Sequence, residues 1–270
     1  MTFRLSGFGD EIHPDPVVQL SVLQALGIGH IEVRSAWRTN VIALTDQQLG
    51  QFATLLREHE IAVSAIASPV GKVDVFEDPA LDLGRLHRAI KAAHFLGTQK
   101  VRIFSFYRPE HTAAHEVRDL VMRRLREFAD LAEAEKVVLL HENEKDIYGD
   151  VPSRILDLVQ SVGSPALRLA WDSANFVQCG VKPFTDGYEM LRQHIDYLQV
   201  KDALAATGEV VPAGLGDGEL AETLAALRDD GYDGFASLEP HLEGRPGPAA
   251  FGIAARAFTT LTQSIGVATQ

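Results

Sequence analysis

Short apolar or β-branched runs alternate with longer segments of helical periodicity along the whole chain, and the alternation recurs eight times. Strands separated by helices must pair in parallel, because no tight turn can join parallel neighbours. Eight such units favour a closed (β/α)8 TIM barrel, an α/β fold, over an open doubly wound sheet, which is the runner-up. The spacing predicts strands at Phe3–Phe8, His30–Val33, Ala62–Ile66, Lys100–Phe104, Val137–His141, Leu167–Trp171, Tyr197–Val200 and Gly234–Leu238. It predicts helices at Pro16–Leu26, Asp46–His59, Asp82–Leu96, Ala113–Glu135, Val151–Val162, Gly187–His194, Glu219–Asp230 and Ala249–Ser264. Leu26-Gly27, Leu96-Gly97 and Asp230-Gly231 each end a helical run just before a strand, where a left-handed residue stops a helix. No linker or low-complexity tract divides the 270 residues, so one domain over residues 1–270 is expected.

Composition narrows the partners. A formal net charge of −12 argues against nucleic acid and anionic membranes, since phosphate recognition needs clustered Lys and Arg. One cysteine, Cys179, allows no intrachain disulfide and no thiolate metal cluster, and it has no paired base at readable spacing. With no apolar leader and no run of membrane-spanning length, a cytoplasmic location is expected.

In a barrel of this kind the chemistry gathers where the strands end at their C-termini. There the chain reads His141-Glu-Asn-Glu-Lys145, Trp171-Asp-Ser-Ala-Asn-Phe176, Tyr197-Leu-Gln-Val-Lys-Asp202 and Ser237-Leu-Glu-Pro-His241. Glu142, Asp172, Gln199 and Glu239 thus fall on successive strands, about one βα unit apart, where four inward oxygens can converge on one ion. The competing reading pairs each acid with a nearby cation such as Lys145, Lys201 or Arg102. That reading prevails for a single acid, but three carboxylates so close repel one another unless a cation sits between them.

These four segments resemble the strand ends of the xylose-isomerase-like sugar phosphate isomerase/epimerase superfamily, which includes tagatose epimerases and inosose isomerases. The resemblance covers nearly the whole chain and implies one divalent metal ion held by Glu142, Asp172, Gln199 and Glu239. It also implies that Glu142 and Glu239 move protons on opposite faces of a small sugar or cyclitol through an enediolate. Two positions depart from the family pattern. Gln199 stands where the family has a histidine ligand, and as a harder donor it favours Mn²⁺ or Mg²⁺ over Zn²⁺ or Co²⁺. Asn175 stands where tagatose-epimerase-like relatives have a substrate-contacting histidine. The candidate substrate contacts are Glu11, Arg34, Lys72, His141, Asn175, Lys201 and His241.

Other segments carry weaker signals. Glu32 ends the second predicted strand and is as readily salt-bridged scaffolding as a mouth residue. Phe104, Phe106 and Tyr107 offer an apolar wall or core packing equally. Ala213-Gly-Leu-Gly-Asp-Gly218 is glycine-rich like a phosphate loop, but it lacks a Walker lysine and reads as a turn before the seventh helix. Rival chemistries on the same barrel are dehydration of a cyclic polyol ketone and non-catalytic sugar binding. An apurinic endonuclease would need His-rich zinc sites and a cationic face, neither of which is present in the sequence.

Overall fold

A computed structural model describes residues 2–242 and 247–270. Eight parallel strands form the barrel wall: β1 (Thr2–Gly7), β2 (His30–Val33), β3 (Ala62–Ala67), β4 (Lys100–Ile103), β5 (Val138–Glu142), β6 (Leu167–Asp172), β7 (Ile195–Val200) and β8 (Phe235–Leu238). Their order around the sheet is β1-β8-β7-β6-β5-β4-β3-β2, so each strand beyond the first lies beside its sequence neighbour. The ladder curls until β2 returns to β1, where one parallel bridge, Phe8 to Glu32, joins them among the described residues. A short strand, Ala268–Thr269, pairs in parallel with the start of β1 along the edge that faces β2.

The surrounding helices are α1 (Pro16–Ala25), α2 (Asp46–Glu58), α3 (Pro79–Leu96), α4 (Ala114–Glu135), α5 (Pro152–Val162), α6 (Ser173–Gln178), α7 (Leu220–Asp229) and α8 (Pro248–Ser264). Gly27, Gly97 and Gly231 have φ of 72°, 80° and 88°, and this left-handed turn ends α1, α3 and α7 before β2, β4 and β8. The predicted helix at Gly187–His194 is instead an irregular coil wound over Pro183–His194, passing through π, α and 3₁₀ turns. Gly187 does not mark a boundary there. A Cβ on it would lie 2.9 Å from Pro152 Cγ, so the residue lets this coil press against α5.

Residues alternate in and out along each strand, which fixes what faces the barrel axis. Ala65, Leu140, Ala170, Tyr197 and Phe235 form an apolar cluster inside the barrel, while the larger core lies between the sheet and the helices. Ser6, Ser64 and Tyr197 add polar links across the interior, with Oγ–Oγ 2.6 Å and Ser64 Oγ to Tyr197 Oη 2.8 Å. Parity then carries Glu142, Asp172 and Glu239 inward at the C-terminal rim.

Candidate active site

The rim residues meet in a cavity of about 220 Å³ lined by Arg34, Lys72, Arg102, Glu142, Glu144, Asn175, Gln178, Lys201, Val210, Glu239 and His241. Carboxylate oxygens of Glu142, Asp172 and Glu239 lie within 4.8 Å of one another, and all three side chains are buried. Asp172 and Gln199 are register partners on β6 and β7, and Gln199 pairs in turn with Ser237 on β8. Two bonds lock the ends of β5 and β6 together: Asn143 Nδ2 donates to the Asp172 carbonyl at 2.8 Å, and the Asp172 N–H donates to Asn143 Oδ1 at 3.0 Å.

Each carboxylate also meets a cation, as the competing sequence reading required. Arg102 Nη1 is 3.0 Å from Glu142 Oε2. Lys201 Nζ bridges Asp172 Oδ2 at 2.8 Å and Glu239 Oε2 at 2.9 Å. Arg34 spreads its guanidinium over Glu239 (2.9 Å), Asp10 (2.8 Å) and Glu11, and His241 Nε2 reaches Glu11 at 2.8 Å and Glu239 at 3.3 Å. Pairing and convergence therefore coexist. Six carboxyl groups, Asp10, Glu11, Glu32, Glu142, Asp172 and Glu239, face the four cations Arg34, Arg102, Lys201 and His241, an excess of two.

The electrostatics follow from burial and that excess. Burial, offset by Lys201 and reinforced by Glu142, pushes the Asp172 carboxyl up to about 7. Burial also raises Glu142, with Arg102 opposing. Glu239 goes the other way: burial would raise it, but Lys201, His241 and Arg34 together hold it well below the usual carboxylate range. Hydrogen bonds to Glu11 and Glu239 push the His241 imidazole up to about 9, so it is a cation at neutral pH. Lys201 is raised despite burial by Asp172 and Glu239 and stays an ammonium, unsuited to nucleophilic attack.

A hard divalent ion fits these residues. The candidate donors are three buried carboxylates and the amide oxygen of Gln199, which is fully buried with no hydrogen-bond partner among the described residues. An excess of acid and an unsatisfied buried acceptor are both relieved by an oxygen-seeking cation.

Of the candidate substrate contacts, Arg34, Lys72, Asn175, Lys201 and His241 line the cavity. Arg34 is spent on three carboxylates, and Lys72 sits 2.6 Å from Glu144 and 4.4 Å above the Phe104 ring. Asn175 donates to Glu142 Oε1 at 3.2 Å and to the Asn143 carbonyl at 2.8 Å. Glu11 lies outside this cavity, in an adjoining groove with His13 and Leu242. His141 does not reach the mouth. Its neighbour Glu142 points inward, so strand alternation turns His141 toward α5, where Nε2 bonds Ser105 Oγ at 2.9 Å and the ring packs on Gly149.

The aromatic run divides the same way: Phe104 lies under the Arg102 and Lys72 cations, whereas Phe106 packs on Phe128 in the helix layer. The Cys179 thiol is pushed up to about 11 by burial and by Asp150, which disfavours the nucleophilic thiolate.

The glycine-rich loop does not cradle a phosphate. Its N–H groups at Gly214, Gly216 and Gly218 donate to the Asp202 carboxylate at 2.9, 3.0 and 2.9 Å, so the anion is the protein's own. Sequence reasoning treated Arg102 only as a pairing partner, although the inward parity of Lys100, Arg102 and Phe104 marks it as a mouth residue. Gln178 and Val210 enter from α6 and from a hairpin pairing Asp202–Ala203 with Val210–Val211, elements too short to leave a periodic signal.

Comparison with known proteins agrees with this architecture. A 2-epi-5-epi-valiolone 7-phosphate 2-epimerase from Actinoplanes sp. is 32% identical over 180 residues, 66% of this chain and 64% of that epimerase, so the match spans a little under two thirds of the relative's length. The IolI protein, solved with a bound zinc atom, superposes with a TM-score of 0.82 at 18% identity, covering 97% of this chain and 99% of that one. A xylose isomerase-like TIM barrel protein from Mycobacterium smegmatis, solved with magnesium, gives 0.74 at 20% identity over 98% and 97% of the two chains. At such identities the structural likeness speaks to fold alone. The family profile described as xylose isomerase-like TIM barrel, however, matches residues 20–261, and on that extent the chain belongs to the xylose isomerase-like TIM barrel family.

Proposed function

We propose that this protein is a divalent-metal-dependent isomerase or epimerase that moves a proton beside the carbonyl of a small sugar or cyclitol. The observation that carries the reading is the buried convergence of Glu142, Asp172 and Glu239 within 4.8 Å at the barrel mouth. Those three carboxylates and the Gln199 amide oxygen would hold the ion, and an all-oxygen set favours Mn²⁺ or Mg²⁺. When bound, the ion draws electron density from the carbonyl and its neighbouring hydroxyl, which acidifies the C–H bond between them.

The chain's own groups do the rest. Glu142 at the end of β5 and Glu239 just after β8 approach the cavity from different walls, so one carboxylate takes the proton and the other returns it from the opposite side. Arg34, His241 and Lys201 hold Glu239 in place, and Asn175 with Arg102 holds Glu142. Gln178 and Lys72 give the cavity donors for substrate hydroxyls, Asn175 adds its amide oxygen as an acceptor, and the volume of about 220 Å³ suits a small polyol rather than a polymer. The Actinoplanes relative, a cyclitol phosphate epimerase by name, supports the same class of reaction.

The test is to incubate the metal-loaded protein with ketoses and cyclitol ketones in D₂O and follow loss of the α-proton by NMR. Exchange without net loss of water is expected, and Glu142→Gln or Glu239→Gln should each slow it by about 10²–10⁴-fold. Water elimination would instead indicate dehydratase chemistry. Exchange that is indifferent to both substitutions would sink the two-base assignment.

A further inference from the structure

We infer that Glu32 is a positioning residue that turns the Gln199 side chain so that its amide oxygen, not its nitrogen, faces Glu142, Asp172 and Glu239. The inference rests on the proposed metal site and concerns a residue outside it. Glu32 lies on β2, across the barrel from β7, and its side chain is fully buried in the interior. The β2–β3 ladder shifts register between Ile31 and Glu32, with Ser64 of β3 as the extra residue, so Glu32 pairs with Ala65. Gln199 Nε2 donates to Glu32 Oε1 at 3.4 Å.

A primary amide has one donor end and one acceptor end, and the ionised form of Glu32, whose carboxyl burial pushes up to about 7, accepts only. Whichever end meets Glu32, the other must point elsewhere. Here the NH₂ end meets it, and the Gln199 oxygen is left buried and unpartnered. An unpaired buried acceptor is costly unless something electropositive satisfies it. The rim beyond Gln199 holds the three converging carboxylates, and Gln199 is in register with Asp172 among them.

In metal sites built on histidine, the ring nitrogen away from the ion is ordinarily held by a carboxylate or carbonyl, which fixes the ligand's orientation. Glu32 stands in that relation to a glutamine. Without it, the amide is free to rotate about its last bond and present nitrogen to the ion, a donor that does not coordinate.

The experiment is a calorimetric titration of Mn²⁺ into the metal-free full chain, comparing wild type, Glu32→Met, Gln199→Ala and the double variant at one pH, with thermal melting as the folding control. Glu32→Met should weaken Mn²⁺ binding by about 10- to 100-fold in the wild-type background, but by less than about threefold when Gln199 is already alanine. If Glu32→Met does not fold, Glu32→Gln keeps the shape and meets the Gln199 amide with either end. It should weaken Mn²⁺ binding only where Gln199 is present. Equal losses in both backgrounds would mean that Glu32 acts through its charge alone, and the positioning role would be overturned with the metal site intact. No Mn²⁺ binding by wild type would overturn the metal reading and this one together.

Discussion

An amide oxygen at position 199 is a harder donor than the imidazole that family resemblance implies, so the choice of ion is the property most exposed to substitution here. Gln199→His should shift preference toward Zn²⁺, Co²⁺ or Ni²⁺, and Glu32 is already placed to accept the ring's other N–H. Titrating Mn²⁺ and Zn²⁺ into wild type and variant checks this; an unchanged ratio of the two affinities would show that residue 199 does not touch the ion. His141 teaches a different lesson. The three acids and Gln199 were legible because polar residues ending apolar runs stand out, but a motif such as His-Glu-Asn-Glu does not say which member faces the axis, and one step along a strand reverses the side. Burial pushes the His141 imidazole down to about 3, whereas an unfolded histidine titrates near about 6.5. Between those values the unfolded chain binds a proton that the folded chain refuses, so this group withdraws stability as pH falls from about 6.5 toward about 3. Melting temperatures measured over that range should decline less steeply for His141→Gln than for wild type.

Among the elements, the strands and long helices follow from periodicity, and the shorter pieces do not. The six-residue α6 is too short to show a hydrophobic face. It exists because Asp172, while facing the cavity, also caps it, accepting the Asn175 N–H at 2.8 Å. The segment after β7 is held by a comparable economy: the Asp202 carboxylate accepts from Ala203, Gly214, Gly216 and Gly218, and so folds the hairpin that brings Val210 to the cavity. No local pattern announced this, since the donors lie up to 16 residues from the acceptor. Asp202→Ala leaves those N–H groups without their shared anion and should cost about 2–4 kcal/mol. Limited proteolysis should then cut first between residues 204 and 218. Cleavage no faster than in wild type would show that the loop holds its shape by other contacts.

At the scale of the molecule, eight repeats in sequence sufficed to expect a barrel, but not to say how it closes, because periodicity counts strands and is silent on their pairing. The acids crowded at one end outnumber the cations that meet them, so the proposed ion should stabilise the whole chain. Mn²⁺ at a hundred times its dissociation constant is expected to add about 2.7 kcal/mol. Asp172→Asn should remove that gain; a Mn²⁺-induced rise that survives the substitution would place the ion elsewhere. The closure itself has a mechanical reading. Among the described residues, seven of the eight junctions around the wall are laddered strand pairs, while β1 and β2 meet through one bridge from Phe8 to Glu32. The wall is therefore laddered unevenly: at the β1–β2 seam the C-terminal strand takes the lower edge of β1, and above it the residue forming the bridge also grips the amide beneath the rim. A ligand that fills the mouth and holds that amide would therefore brace the barrel at its least laddered seam.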